Sequence, residues 1–174
     1  MKGEQQIQPG ETDEFAWHGS ENPLPEAADV AIIGGGIIGS STAYFLAQSG
    51  VSVALFEKGR IAGEQSGRNW GWVRQQCRSP VELPLMMQSL RLWKELPVQL
   101  GEDVGFRQGG TLYLAEDAKE LEALGEWLAV AREHELDTKI LAGRELRVIF
   151  AGGERWSGAL YTASDGRAEP SRAA

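Results

Sequence analysis

The segment from Asp29 to Lys58, DVAIIGGGIIGSSTAYFLAQSGVSVALFEK, constrains the fold of this chain more than any other part of it. Val30 to Ile33 is a short apolar run, β-branched at three of four positions, which predicts a strand buried on both faces. The run from Ile37 to Gln48 predicts a helix, and Val51 to Phe56 predicts a second buried strand. A strand, a helix and a strand in this order predict a βαβ unit with parallel strands and a right-handed crossover.

Three glycines of the pattern G-x-G-x-x-G separate the first predicted strand from the helix: Gly34, Gly36 and Gly39. In a turn that binds a diphosphate, the first glycine makes the tight turn, the second lets the backbone approach the phosphates, and the third lets the helix pack against the strand. The first helical residues, Ile37 and Ile38, would direct backbone N–H groups and the positive end of the helix at the diphosphate. The pattern therefore predicts a dinucleotide site, with a glycine-rich turn in a plain βαβ unit as the alternative.

Glu57 ends the second predicted strand, at about the distance from the glycines where such sites place an acid for the ribose. A carboxylate there accepts hydrogen bonds from ribose hydroxyls and repels a 2′-phosphate, which disfavours NADP. FAD and NAD both use this pattern. An NAD-type domain usually continues directly into further βα units, whereas residues 59–78 are rich in Gly, Arg, Asn and Trp and lack a clear period. These residues predict a long functional loop and favour FAD.

Three segments of the chain resemble the FAD-dependent amine and amino-acid oxidoreductases, a family that includes D-amino-acid oxidase, glycine oxidase and sarcosine oxidase. They are DVAIIGGGIIGSSTAYFLAQSGVSVALFEKG, AGEQSGRNWGWVRQ and ASDGRAEPSRAA, and the resemblance extends from Asp29 to the end of the chain. It implies an α/β fold in which a Rossmann-type FAD-binding βαβ unit is followed by the start of an antiparallel α+β substrate domain.

The resemblance also implies that the loop after Glu57 passes the FAD diphosphate and reaches the flavin, with four of its residues beside the cofactor. Their chemistry suits this role, since an arginine can pair with a diphosphate, Ser and Asn can donate hydrogen bonds, and Gly permits close approach. A solvated basic loop is the alternative. The complete cofactor set assigned in this way is Gly34, Gly36, Ile37, Ile38, Gly39, Glu57, Lys58, Ser66, Arg68, Asn69 and Gly71. No catalytic residue and no metal ligand is assigned, and the loop has no histidine for covalent flavin attachment.

Two tryptophans and an arginine of the loop allow two interpretations each. Trp70 and Trp72 either wall a flavin or substrate cavity or pack in the core, and their large apolar area favours packing. Arg74 either binds a substrate carboxylate or forms a structural ion pair. Cys77 is expected to be inert, because no histidine or CxxC spacing activates it.

Beyond the loop, the hydrophobic pattern predicts a series of further elements. They are a helix over about 82–100 that Pro97 ends or kinks, a hairpin of 105–108 with 111–115, a helix over 117–135, a strand at 139–141, a helix at 144–149 and a strand at 159–162. The predicted organisation is a tail at 1–28, docked through Phe15 and Trp17, a cofactor-binding segment at 29–80, a substrate domain at 81–163, and the start of a return to the cofactor domain at 164–174.

Composition narrows the partners of this 174-residue chain. A net charge of −8 argues against nucleic acid, and no apolar run approaches the length of a membrane span. A single cysteine fits a reducing, cytoplasmic compartment. A small-molecule amine or amino acid is the expected substrate, and a second subunit is possible.

By the resemblance, the expected reaction is oxidation of a C–N bond with hydride transfer to flavin. The chain is expected to be the N-terminal portion of a longer oxidoreductase that binds FAD weakly by itself, because two parallel strands leave both sheet edges open. The alternatives are an NAD-dependent dehydrogenase and a non-catalytic nucleotide-binding subunit of a heteromeric flavoenzyme.

Overall fold

The computed structural model describes residues 25–173, which form two compact units, 25–65 and 66–173. The predicted division into a cofactor-binding segment at 29–80 and a substrate domain at 81–163 concerns function and remains a prediction. The expected docking of the tail through Phe15 and Trp17 lies outside the described residues.

The first unit is the predicted βαβ arrangement. Strand β1 (Val30–Ile33) leads into helix α1 (Ile37–Gln48), which returns to strand β2 (Val53–Phe56). The strands are parallel, with Val30 opposite Val53 and Ile33 opposite Phe56. Gly50 follows α1 with φ of +79°, a left-handed conformation that glycine adopts without strain and that ends the helix. The α/β fold expected for this segment is therefore confirmed.

The expectation that these strands are buried on both faces is wrong for the described residues. The side chains of Ile33 and Phe56 are 92% and 41% exposed. Within residues 25–65, Ala62 is the one apolar residue that is buried. A parallel sheet is normally covered on both faces by other elements. The described residues of this unit supply one long helix, α1, so the strands keep exposed side chains.

The second unit contains two antiparallel sheets of three strands, with the last strand of each in the middle. The first sheet consists of β3 (Trp72–Val73), β8 (Gly166–Arg167) and β4 (Arg107–Gln108), in that order. The second consists of β5 (Thr111–Ala115), β7 (Gly158–Thr162) and β6 (Thr138–Leu141). The antiparallel α+β character predicted for this region is confirmed.

The predicted hairpin between 105–108 and 111–115 is wrong, because β4 pairs with β8 and β5 pairs with β7. Gly110 adopts φ of +77°, and its N–H donates to the carbonyl oxygen of Asp165. A Cβ on Gly110 would lie 2.4 Å from a ring carbon of Tyr161. This glycine therefore lets the chain pass from one sheet to the other instead of turning back on itself.

The helices from Gln65 onward include the predicted ones, in the predicted order but with shifted bounds, and a four-residue helix in the segment 59–78, which was predicted to be a loop. They are α2 (Gln65–Arg68), α3 (Leu83–Leu100), α4 (Ala118–Glu126), α5 (Leu128–Glu133) and α6 (Gly143–Ile149), with a 3-10 turn at Gly153–Arg155. Pro97 lies inside α3 without ending it. The helix predicted over 117–135 is broken at Trp127, and Asp117 caps α4 by accepting from the N–H of Glu120 at 2.8 Å.

The hydrophobic core lies in the second unit, where β6, β7 and α6 meet. Leu141, Leu146 and Ala159 are buried at its centre. The partly buried side chains packed against them are Leu112, Leu114, Phe150, Trp156 and Tyr161. Among residues 25–173, no helix combines the length and the apolar character that crossing a bilayer requires.

Candidate functional site

The turn between β1 and α1 has a geometry that requires glycine at two positions. Gly34 adopts φ of +104°, and its N–H donates to the carbonyl oxygen of Phe56 at 2.7 Å. A Cβ on Gly39 would lie 1.9 Å from the carbonyl oxygen of Gly34 and 3.4 Å from a side-chain carbon of Ile32. The first turn of α1 thus lies directly against the loop that leaves β1, which any larger residue at position 39 would prevent.

Helix α1 begins without a cap from its own sequence. Gly36 is the N-cap residue, with φ of −79° and ψ of −179°, and no side chain of the described residues makes a cap hydrogen bond there. The first turn carries no acidic residue, and Ile38 in that turn is 81% exposed. No acidic side chain of α1 itself therefore offsets the positive end of the helix dipole. This is the electrostatic condition that favours a bound diphosphate at a helix N-terminus.

The carboxylate of Glu57 lies against the same turn. Its Oε2 accepts from the N–H of Gly35 at 2.7 Å, and its Oε1 accepts from the N–H of Gly59 at 2.9 Å. These two hydrogen bonds, that of Gly35 first, lower the pKa of Glu57, so the side chain is ionised at neutral pH. Each carboxylate oxygen has a further lone pair with which to accept a ribose hydroxyl. Nearby, Lys58 makes a 3.8 Å ion pair with Glu64 at the exposed surface.

The loop residues assigned from the family resemblance belong to the second unit. Ser66 and Arg68 lie in α2. The side-chain amide of Asn69 donates to the carbonyl oxygen of Ser66 at 2.8 Å and accepts from the N–H of Gly71 at 2.6 Å. Gly71 has φ of +66°, and a Cβ on it would lie 2.1 Å from the carbonyl oxygen of Ala168. Asn69 and Gly71 therefore shape the loop itself, and the role of all four residues toward a cofactor remains a prediction.

The two loop tryptophans do not pack in the core. Trp70 is 84% exposed and Trp72 is 48% exposed, so the preferred interpretation was wrong for Trp70. Within residues 25–173, β3 has two residues and lies at the edge of its sheet. Arg74, expected to bind a carboxylate or to form an ion pair, has its guanidinium 5.1 Å from the centre of the Trp72 ring and 5.6 Å from that of Tyr113.

A buried polar network around Asp165 was not found from the sequence. Asp165 is fully buried, and its carboxylate accepts from the backbone N–H groups of Gln75 at 2.8 Å and Gln76 at 3.2 Å. Gln76, also fully buried, accepts from the hydroxyl of Thr162 at 2.8 Å. An Asp-Gly dipeptide after a strand marks a turn, but the sequence does not show that this carboxylate reaches the backbone of the loop about 90 residues earlier.

Cys77 follows this network and is half-buried. Burial is the main reason why the pKa of its thiol is raised. The thiol therefore stays protonated at neutral pH, as its expected inertness requires.

The chain is similar to known proteins over most of its length. The family described as "DAO: FAD dependent oxidoreductase" matches residues 29–174. Sarcosine oxidase subunit beta of Arthrobacter sp is 35% identical over 158 residues, which is 82% of this chain and 38% of that protein. Mitochondrial sarcosine dehydrogenase of Homo sapiens is 27% identical over 168 residues, which is 94% of this chain and 18% of that protein.

Solved structures extend the similarity to the fold. The L-amino acid deaminase from Proteus myxofaciens, solved in complex with anthranilate, superposes with a TM-score of 0.84 at 35% identity, covering 90% of this chain and 36% of that one. Glycine oxidase from Bacillus cereus superposes with a TM-score of 0.76 at 32% identity, covering 84% of this chain and 41% of that one. The chain thus spans less than half the length of these proteins. It belongs to the DAO family of FAD-dependent oxidoreductases.

Proposed function

We propose that the first unit binds the diphosphate and the adenosine ribose of FAD. Gly34, Gly36 and Gly39 shape the turn, and Ile37 and Ile38 begin helix α1 with their N–H groups toward the diphosphate. Glu57 and Lys58 directly follow β2. The observation that carries the proposal is the 2.7 Å hydrogen bond from Gly35 to Glu57, because it fixes an ionised carboxylate beside the diphosphate turn. The second set of contacts is Ser66, Arg68, Asn69 and Gly71, which rests on the sequence resemblance.

The protein of which this chain is the matched part is proposed to oxidise a C–N bond of an amine or amino acid. The sarcosine dehydrogenase, glycine oxidase and amino acid deaminase named among its relatives support this class of substrate. Bound FAD would supply the acceptor for a hydride from the substrate α-carbon, and water would hydrolyse the resulting imine. The residues of this chain would bind and orient the cofactor in that reaction. A cytoplasmic location remains part of the proposal.

Two relatives support a second candidate, a nucleotide-binding subunit of a larger assembly. One is the sarcosine oxidase subunit beta already described, and another is a pyruvate dehydrogenase phosphatase regulatory subunit of Mus musculus, 33% identical over 102 residues. Co-purification with a second polypeptide, together with FAD binding and no turnover by the chain alone, would favour this candidate over an independent oxidase.

Replacement of Glu57 with glutamine tests the cofactor proposal. We expect the dissociation constant for FAD to rise about tenfold, because a neutral amide accepts ribose hydroxyl hydrogen bonds less well than a carboxylate does. Titration of the chain against FAD, followed by the fluorescence of the flavin, measures this change. We expect NADH to bind more weakly than FAD in a parallel titration.

Glu26→Gln is the matched control, since Glu26 is an exposed carboxylate of the same unit. We expect it to leave FAD affinity unchanged. Equal affinities of the Glu57→Gln chain and the unaltered chain for FAD would contradict the assignment of Glu57 to the ribose. Tighter binding of NADH than of FAD would reject the flavin assignment.

A further inference from the structure

A cavity of about 320 Å³ in the second unit is lined by residues of helix α3 and of the turn at 135–137, which joins α5 to β6. The side chains of Met87, Leu90 and Leu136 form its apolar part. At the roughly 30 Å³ that a water molecule occupies in the liquid, the cavity has room for about ten non-hydrogen atoms. Its lining residues all differ from those assigned to FAD, so the cavity is a separate candidate site for a small ligand.

Charged residues of opposite sign line the cavity from two different elements. Arg91 and Lys94 are three residues apart on α3 and therefore lie on one face of that helix. Glu135 and Asp137 belong to the turn. Within residues 25–173, no ion pair joins either of the two cations to an acid. The cavity thus has a cationic side and an anionic side that do not neutralise each other by direct contact.

Glu135 occupies a position at which helices commonly end with glycine. Its N–H donates to the carbonyl oxygen of Arg132 at 3.1 Å, and the N–H of Leu136 donates to that of Ala131 at 2.9 Å. This pair of hydrogen bonds ends a helix through one residue in the left-handed conformation, and Glu135 is that residue, with φ of +54°. Glycine would adopt this conformation without strain. A glutamate in its place favours a role for the carboxylate beyond ending the helix.

Asp137 is held in position on the same side of the cavity. Its Oδ1 accepts from the hydroxyl of Ser164 at 2.7 Å, and the oxygen of Ser164 accepts from the side-chain amide of Gln75 at 3.1 Å. The same amide donates to Oδ1 of Asp165 at 3.3 Å, and Gln75 is only 4% exposed. The buried network around Asp165 therefore orients this carboxylate before a ligand binds, which lowers the entropy cost of binding.

We propose that this cavity binds a small zwitterion whose carboxylate and ammonium groups lie at opposite ends of a short aliphatic chain. The carboxylate would pair with Arg91 and Lys94, and the ammonium group with Glu135 and Asp137. The aliphatic chain would contact the three apolar side chains between them. An α-amino acid carries both charged groups on one carbon atom, so it fits this arrangement less well. The inference does not depend on the proposed cofactor site or on the proposed oxidation.

Saturation-transfer NMR on the whole chain tests this cavity with four probes. 6-Aminohexanoate has both charged ends, hexanoate lacks the ammonium group, hexylamine lacks the carboxylate, and L-alanine lacks the chain between the two charges. We expect 6-aminohexanoate to bind at least about fivefold more tightly than any of the others. The double substitution Arg91→Gln and Lys94→Gln should weaken its binding about fivefold, because both charges on the cationic side are removed.

Glu135→Gly separates loss of the ligand contact from loss of folding. We expect this change to weaken the binding of 6-aminohexanoate about fivefold. The urea midpoint should not fall, because glycine adopts the positive φ at this position without strain. Glu133→Gln is the matched control, since Glu133 is an exposed acid of α5 that does not line the cavity. Equal binding of 6-aminohexanoate and hexanoate, or unchanged binding in the Glu135→Gly chain, would overturn the inference.

Discussion

Gly39→Ala is expected to abolish measurable FAD binding and to destabilise the first unit by about 3 kcal/mol or more. The added Cβ would lie 1.9 Å from the carbonyl oxygen of Gly34, a backbone atom that cannot rotate away. Helix α1 would have to move away from the loop that leaves β1, and the glycine turn between them would open. The unit has little apolar burial to resist this, since Ala62 is its one buried apolar residue within 25–65.

Hydrogen–deuterium exchange followed by mass spectrometry measures this effect for each unit separately. We expect the backbone amides of β1, α1 and β2 to lose protection from exchange in the Gly39→Ala chain. The amides of the second unit should keep the protection that they have in the unaltered chain. Gly50→Ala is the matched control, because a Cβ on Gly50 would meet nothing within 4 Å. The φ of +79° at Gly50 should limit its cost to about 1 kcal/mol. Equal protection in the two variants would contradict the close approach of helix and turn.

Asp165→Ala is expected to destabilise the second unit by about 3 kcal/mol. The substitution leaves the backbone N–H groups of Gln75 and Gln76 buried without the carboxylate that accepts from them. Each unsatisfied buried donor costs about 1–3 kcal/mol. Asp165→Asn should cost less, because the amide oxygen can still accept from one N–H while the amide nitrogen faces the other.

Urea denaturation measures these losses, with Glu122→Gln as the control. Glu122 is an exposed acid on α4, and its replacement should change stability by no more than about 0.5 kcal/mol. A loss of less than about 1 kcal/mol in the Asp165→Ala chain would show that the carboxylate does not hold the loop. Such a result would also weaken the case for a fixed Arg74, which directly precedes Gln75.

The free energy of unfolding measured in urea should depend on pH in a predictable direction. Burial raises the pKa of Asp165 above its ordinary value, against the opposing hydrogen bonds from Gln75 and Gln76. A carboxyl group whose pKa is raised on folding destabilises the folded state as the pH rises from the unfolded pKa to the folded one. The unaltered chain therefore loses stability over this interval, and the Asp165→Asn chain does not. We expect the stability difference between the two to be smaller at pH 7 than at pH 4.

The first unit was predictable from the sequence because its determinants are local. The apolar runs were sufficient to predict the positions of β1 and α1. The spacing of Gly34 and Gly39 reflects the close approach of these two residues, which are only five positions apart in the chain. The acid at Glu57 was predicted from its place at the end of β2. The exposure of Ile33 could not be predicted from the sequence. An apolar run indicates that a strand is suited to burial, but it does not indicate whether neighbouring elements cover that strand.

The sequence by itself determined the βαβ unit, its glycine turn and the acid beside that turn, since hydrophobic period and glycine spacing act over short distances along the chain. Only the tertiary structure decided that β4 pairs with β8, that Asp165 holds the loop at Gln75 and Gln76, and that Arg74 lies over Trp72 and Tyr113. Apart from the contact of Arg74 with Trp72, these contacts join residues far apart in sequence, and several of them involve strands of only two residues. Such strands carry no readable period, so the packing of the whole unit sets which of them meet.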